Sequence, residues 1–256
     1  MKKIYFPAFL VVLLSGCDSI RYYTPVMLKA DLTYMPKPMS FDSIKTSNYV
    51  TATYGGKSMA NLDEESTFGQ FSFSRSHYLK NINVSYGGGG YFGTVENNSI
   101  DTTVVNVLDR KNFSGFNLNT SANLVTSSGR TDFRVIGLEL AYNKEFGDYY
   151  HYRKSVIGIP DAYSITRSDL FSAGLSSEVI WHTKNSIHTQ FGFKLTIGKT
   201  FGNLKYKGVG SHNNNDDIIW GNGRGSSAFA FFFQLKQFHF IFDQSTASRF
   251  SVGYRF

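Results

Sequence analysis

Three groups of residues in this 256-residue chain have the types and spacing for acid–base chemistry. His212, Asp216 and Asp217 share the polar run 211–217, and a histidine close to carboxylates can activate a water. Asp148 and His151 form a second group, and His239 with Asp243 a third, while His188 stands apart. The plainer reading of each is hydrogen-bonded polar side chains without catalysis. The sequence has no Gly-x-Ser-x-Gly, His-Glu-x-x-His or Cys-x-x-Cys, so the common hydrolase and zinc signatures are missing. No catalytic residue, cofactor or metal ligand is assigned. The run Gly87–Gly90 lies in a strand pattern with no helix after it, which suits close packing or curvature better than a phosphate loop.

Cys17 is the only cysteine, which excludes a disulfide within the chain. Its surroundings point to another chemistry. Met1, Lys2 and Lys3 make a positive start, followed by the apolar stretch Ile4–Leu14. Eleven residues are too few for a helix to span a bilayer, which takes roughly 20. The stretch ends on Leu14-Ser15-Gly16-Cys17, which resembles the processing box of bacterial lipoproteins. That resemblance implies residues 1–16 as signal peptide, acylation of Cys17, and lipoprotein-processing enzymes as partners. Asp18 departs from the enteric pattern for outer-membrane delivery, so either the sorting rule differs or a second signal overrides it.

The elements that must position these residues are strands. Phe250, Val252, Tyr254 and Phe256 alternate with Ser251, Gly253 and Arg255, a period of two that offers one face to hydrocarbon. This terminus resembles the last strand of outer-membrane β-barrels, where the aromatic end is read by the barrel-assembly machinery; the four residues are expected to be lipid-facing and an assembly signal. The same alternation recurs over 47–54, 68–76, 81–93, 113–125, 131–146, 169–181, 187–201, 227–235, 237–243 and 248–256. About ten residues per strand, tilted, cover the roughly 25 Å apolar band of such barrels. Short turns at 77–80, 126–130, 182–186 and 235–236 alternate with long connections at 55–67, 94–112, 147–168 and 202–226, and 244–247 is the one short member of the second set. A soluble β-sandwich would alternate too, but would bury its Phe and Leu face and would not sort its loops by length.

Composition agrees. There are 24 Phe, 16 Tyr and 24 Gly against 5 Pro, and mean hydropathy is −0.22, as in a chain that hides its apolar residues in alternation. The net charge of +7 falls to +5 without Lys2 and Lys3 and does not argue for nucleic acid.

The inward positions are mostly Ser, Thr, Asn, Gln and Gly. Glu139, Glu178 and Lys194 come from three consecutive strands and can meet in the lumen, either as a polar plug that holds register or as the lining of a narrow solute path. Residues 17–46, with Pro25, Pro36 and Pro38, read as a lipidated periplasmic linker, and 47–256 as the barrel. The stretch Arg21-Tyr22-Tyr23-Thr24-Pro25 resembles the start of a family of lipid-anchored barrel proteins of Gram-negative bacteria.

The expectation is therefore an all-β, antiparallel up-and-down transmembrane barrel of about ten strands, lipid-anchored in the outer membrane, with both termini periplasmic. Its expected role is structural or surface-interacting. The alternatives are a lipid-modifying or proteolytic enzyme using a loop His and Asp, or a small-solute channel.

Overall fold

The computed structural model describes residues 21–59, 64–97, 110–160, 162–184, 186–202, 204–209 and 225–256, with the side chains of 186–188 left aside. The alternating segments form β2 (Thr46–Ser58), β3 (Glu64–Leu79), β4 (Ile82–Asn97), β5 (Lys111–Ser128), β6 (Thr131–Phe146), β8 (Asp169–Thr183), β9 (Ser186–Phe201), β10 (Gly225–Leu235), β11 (Phe238–Gln244) and β12 (Ser248–Arg255). Each pairs antiparallel with its neighbours in the closed order β10-β11-β12-β2-β3-β4-β5-β6-β8-β9. Closure leaves no sheet edge with unpaired amides. The seam is β12 on β2, extended by Phe256, whose N–H donates to Asn48 O at 3.0 Å while the Asn48 N–H donates to Phe256 O at 2.9 Å. The expected ten-stranded antiparallel barrel is thus present.

One end carries tight hairpins. Lys80, Gly129 and Lys236 sit at φ 58°, 58° and 56°, the left-handed geometry that matches the twist of two-residue hairpins. The other end carries the long connections, including helix α1 (Asp148–Ser155) and a short strand β7 (Ala162–Ser164). Gly87, Gly89 and Gly93 answer a steric need. A Cβ there would stand 2.3, 2.1 and 2.1 Å from the carbonyl oxygens of Phe73, Phe71 and Thr67 on β3.

The outward face is apolar. Phe71, Phe73, Phe92, Leu118, Leu138, Phe171, Leu175, Leu195 and Ile197 all point away from the interior and are exposed. Strand β6 breaks the rule once. A bulge between Arg134 and Gly137 exposes both Val135 (58%) and Ile136 (46%) and turns Arg134, which strict alternation would place outside, into the lumen.

The segment expected as a linker outside the barrel runs through it instead. Residues 21–23 form β1, parallel to β7 at the long-connection end, and the chain then descends inside the lumen to enter β2 at the hairpin end. The physical reason is hydrogen bonding. Several of the wall's inward polar groups find partners on this segment, and below β1 part of the segment's backbone, which has no ladder there, finds its partners on the wall. Two buried apolar clusters hold its ends. Val26, Met27, Leu28 and Ala30 pack on Phe68, Tyr91, Phe113, Tyr149 and Leu170 at the long-connection end. Met39 packs on Ile180, Ala230, Phe232 and Ile241 toward the other.

Candidate functional site

The candidate site is the lumen with the segment that fills it. At the long-connection end, Tyr149 Oη donates to Thr24 O at 3.2 Å, the Val26 N–H donates to Glu145 Oε2 at 2.8 Å, and Lys57 Nζ donates to Val26 O and Leu28 O at 2.8 Å each. Lower down, Arg249 Nη1 donates to Ala30 O at 2.5 Å, and Ser172 Oγ donates to Asp31 Oδ2. Leu32 lies in a notch that two glycines make. A Cβ at Gly198 would stand 2.4 Å from Leu32 Cδ1, and one at Gly174 2.8 Å from it. Toward the hairpin end, Ser76 Oγ donates to Pro36 O at 2.8 Å and Asn83 Nδ2 to Pro38 O at 2.8 Å. The Ser40 N–H donates to Asp132 Oδ2 at 2.6 Å. Finally, Arg255 Nη1 donates to Asp42 Oδ2 at 2.8 Å.

The charged residues singled out in the sequence lie in this lumen, with their partners divided. Lys194 Nζ is 2.7 Å from Glu139 Oε1, which also accepts from Ser176 Oγ at 2.7 Å. Glu178 is the register neighbour of Lys194, but its carboxylate accepts from Arg134 Nη1 at 2.7 Å and from Tyr34 Oη at 2.5 Å. Arg134 is the residue that sequence reasoning missed; the signal is the phase shift at Val135-Ile136, since Phe133 and Val135 alternate with Arg134 in the opposite phase to Ile136 and Leu138. Its Nη2 also donates to Lys37 O and Pro38 O at 3.2 Å each, so one guanidinium ties wall to plug. Asp243 pairs with Arg249 at 3.1 Å.

The two candidate catalytic groups that lie among the described residues are not assembled. His239 is fully buried, with Nε2 3.0 Å from Thr51 Oγ1 and its ring edge-on to Tyr49, and Asp243 is committed to Arg249. Asp148 and His151 are both exposed on α1, and no hydrogen bond joins their side chains among the described residues. His212, Asp216, Asp217 and Cys17 lie outside the described residues, as does the His188 side chain. No group of His, Cys, Asp and Glu suited to a metal ion occurs among the described residues.

Two voids in the lumen, one beside Leu32, Thr33 and Tyr34 and one beside Thr33 and Tyr34, measure about 10 and 20 Å³, room for a water or two. The C-terminal row Phe250, Val252, Tyr254 and Phe256 faces outward, while Arg249 and Ser251 are buried.

No family model matches the chain, and neither does any curated protein. Among solved structures, the chain is similar to an outer-membrane channel from Pseudomonas putida F1 (7% identity, 87% of this chain and 100% of that one, TM-score 0.38). It is also similar to the translocator domain of the autotransporter NalP from Neisseria meningitidis (8% identity, 85% and 90%, TM-score 0.38). CdiB from Acinetobacter baumannii aligns over 83% of this chain and 60% of that one at 9% identity and a TM-score of 0.24. At these scores the assignment stands on the molecule itself: a closed antiparallel barrel of ten strands, apolar outside, polar inside, with hairpins at one end and long connections at the other. That is the outer-membrane barrel fold.

Proposed function

We propose that this protein is a sealed outer-membrane barrel, lipidated on Cys17, whose work is structural or done by surface contacts at its long-connection end rather than by conduction or catalysis. One observation carries the reading: residues 24–42 occupy the lumen and are hydrogen-bonded to the wall along its length, and two voids beside them measure about 10 and 20 Å³. A solute path needs a continuous opening, and wall groups such as Ser76, Asn83, Arg134 and Arg249 are committed to the plug's carbonyls. The sequence Leu14-Ser15-Gly16-Cys17 supports acylation, and the outward C-terminal row supports delivery through the barrel-assembly machinery.

The deciding experiment is conductance of the purified full chain in planar lipid bilayers. The sealed barrel is expected to give no steady current steps. Stable single-channel steps from the unaltered protein would replace this reading with the small-solute channel. Loss of palmitate labelling in Cys17→Ser checks the lipidation separately, and unchanged labelling would reject it.

A further inference from the structure

We infer that the lipid anchor lies on the same side of the membrane as the long connections, at the cell surface, and not in the periplasm where a barrel's N-terminal linker would ordinarily leave it. The inference rests on the proposed acylation of Cys17 and adds to it the side on which the acyl chains insert.

A single wall strand measures the path of the plug. Near its hairpin end, β6 presents Asp132, which accepts from the Ser40 N–H; near its other end it presents Glu145, which accepts from the Val26 N–H. At roughly 3.3 Å per residue these contacts lie about 40 Å apart along the strand. Plug residue 40 is therefore at the hairpin end, and residue 26 is at the opposite end. The chain continues outward from there. The Ile165 N–H donates to Tyr23 O at 2.9 Å, Tyr22 pairs in register with Tyr163, and the Tyr22 ring meets Tyr163 and Tyr206 at 5.8 and 5.0 Å. From Arg21 back to Cys17 is four residues, at most about 14 Å of extended chain. That length cannot return to the hairpin end, and the lumen it would have to re-enter is filled. In this fold class the hairpins are periplasmic and the long connections external, so Cys17 can reach only the outer leaflet.

The test uses an epitope tag inserted between Ser19 and Ile20 of the full chain, with two reference tags. One is at Gly158, in the long connection after β6, and one at Gly129, in the β5–β6 hairpin; a Cβ at either position meets nothing within 4 Å. Antibody binding to intact cells is expected to detect the amino-terminal tag as it does the Gly158 tag, with the Gly129 signal lost until the outer membrane is permeabilised. An amino-terminal tag that behaves like the Gly129 tag would overturn the inference while palmitate labelling still upholds lipidation. A surface-accessible tag without palmitate labelling would instead reject the lipid and keep the threading. Tyr22→Cys with Tyr163→Cys, register partners in β1 and β7, reads the placement without a tag. Heat-modifiable, folded protein that forms no disulfide between them would also overturn it.

Discussion

Removing the Arg134 guanidinium tests the plugged barrel most directly, because this side chain joins wall to wall and wall to plug. Arg134 and Glu178 have no solvent-exposed side-chain surface and meet at 2.7 Å. Truncation of one partner strands the other's charge in the interior, a cost of about 3–5 kcal/mol. Arg134→Met should therefore shift the folding equilibrium by roughly a hundred- to several-thousand-fold at 1.4 kcal/mol per decade. The double variant Arg134→Met/Glu178→Leu removes the stranded charge. What remains is the loss of a donor to Lys37 O and of an acceptor for Tyr34 Oη, while Pro38 O keeps Asn83. Lys37 O is orphaned in both variants, so the double variant exchanges the stranded charge, about 3–5 kcal/mol, for an orphaned Tyr34 Oη, about 1–3 kcal/mol, and should fall between the unaltered protein and the single variant. The exposed pair Arg110–Glu96, 3.1 Å apart with side chains 67% and 46% exposed, supplies the control. Arg110→Met should change stability by about 0–1 kcal/mol. The assay is urea titration in detergent micelles, followed by tryptophan fluorescence and heat-modifiable mobility. An Arg134→Met cost no larger than that of Arg110→Met would refute both the burial of the pair and the placement of the plug.

Leu195, 53% exposed on the outward face of β9, should tolerate no charge: Leu195→Arg is expected to cost roughly 2–4 kcal/mol in bilayer refolding, and a neutral result would reverse the face assignment. Thr196→Arg is also expected to destabilise, by about 1–3 kcal/mol, because Thr196 borders the void of about 10 Å³ beside Lys194 and has no water-filled lumen to enter; a neutral outcome in the same titration would mean the plug is absent. Gly198→Ala drives a methyl against Leu32 Cδ1, so it should destabilise, and Leu32→Ala should recover part of the loss; additive costs in a double-mutant cycle would separate the notch from the plug. Deleting Phe256 removes one lipid-facing ring worth about 1.5–3 kcal/mol together with its two backbone bonds to Asn48 at the seam, yet membrane-inserted protein in cells should fall by more than the refolding yield does, and equal falls would leave Phe256 without a signalling role.

The strand count, the antiparallel order, the sorting of connections by length and the outward row of β12 were all legible, because each follows from period-two alternation or from turn composition. Side-chain direction then placed Glu139, Glu178 and Lys194 in one lumen. Two things were missed. The bulge in β6 leaves Ile136 and Leu138 in their expected outward positions and reverses Asp132, Phe133, Arg134 and Val135 before them, a phase shift that a single-phase reading of the strand passes over. The course of residues 24–42 is a tertiary fact. An aperiodic, proline-bearing segment looks like a linker until the partners of its carbonyls are known.

A volume argument would have found the plug. Eight-stranded barrels can fill their interiors with side chains, and two more strands widen the lumen. Here part of the inward face carries no bulk: Ser72, Ser74, Gly137, Gly174, Ser176 and Gly198 are among the smallest residues available, although Lys194, Glu178 and Phe232 also point inward. Outward positions on the same strands carry Phe, Leu and Ile. A wide barrel with short inward side chains must hold either water or a piece of chain, and the composition of 24–42 suits the second. Prolines at 25, 36 and 38 carry no N–H, so three donors that a lumen without a ladder would have to satisfy do not exist. Their carbonyls still need donors, and Ser76 and Asn83 serve Pro36 and Pro38 from the wall. The polar wall is thus explained by what it holds. Ser76, Asn83, Arg134 and Arg249 sit opposite carbonyls of one extended segment.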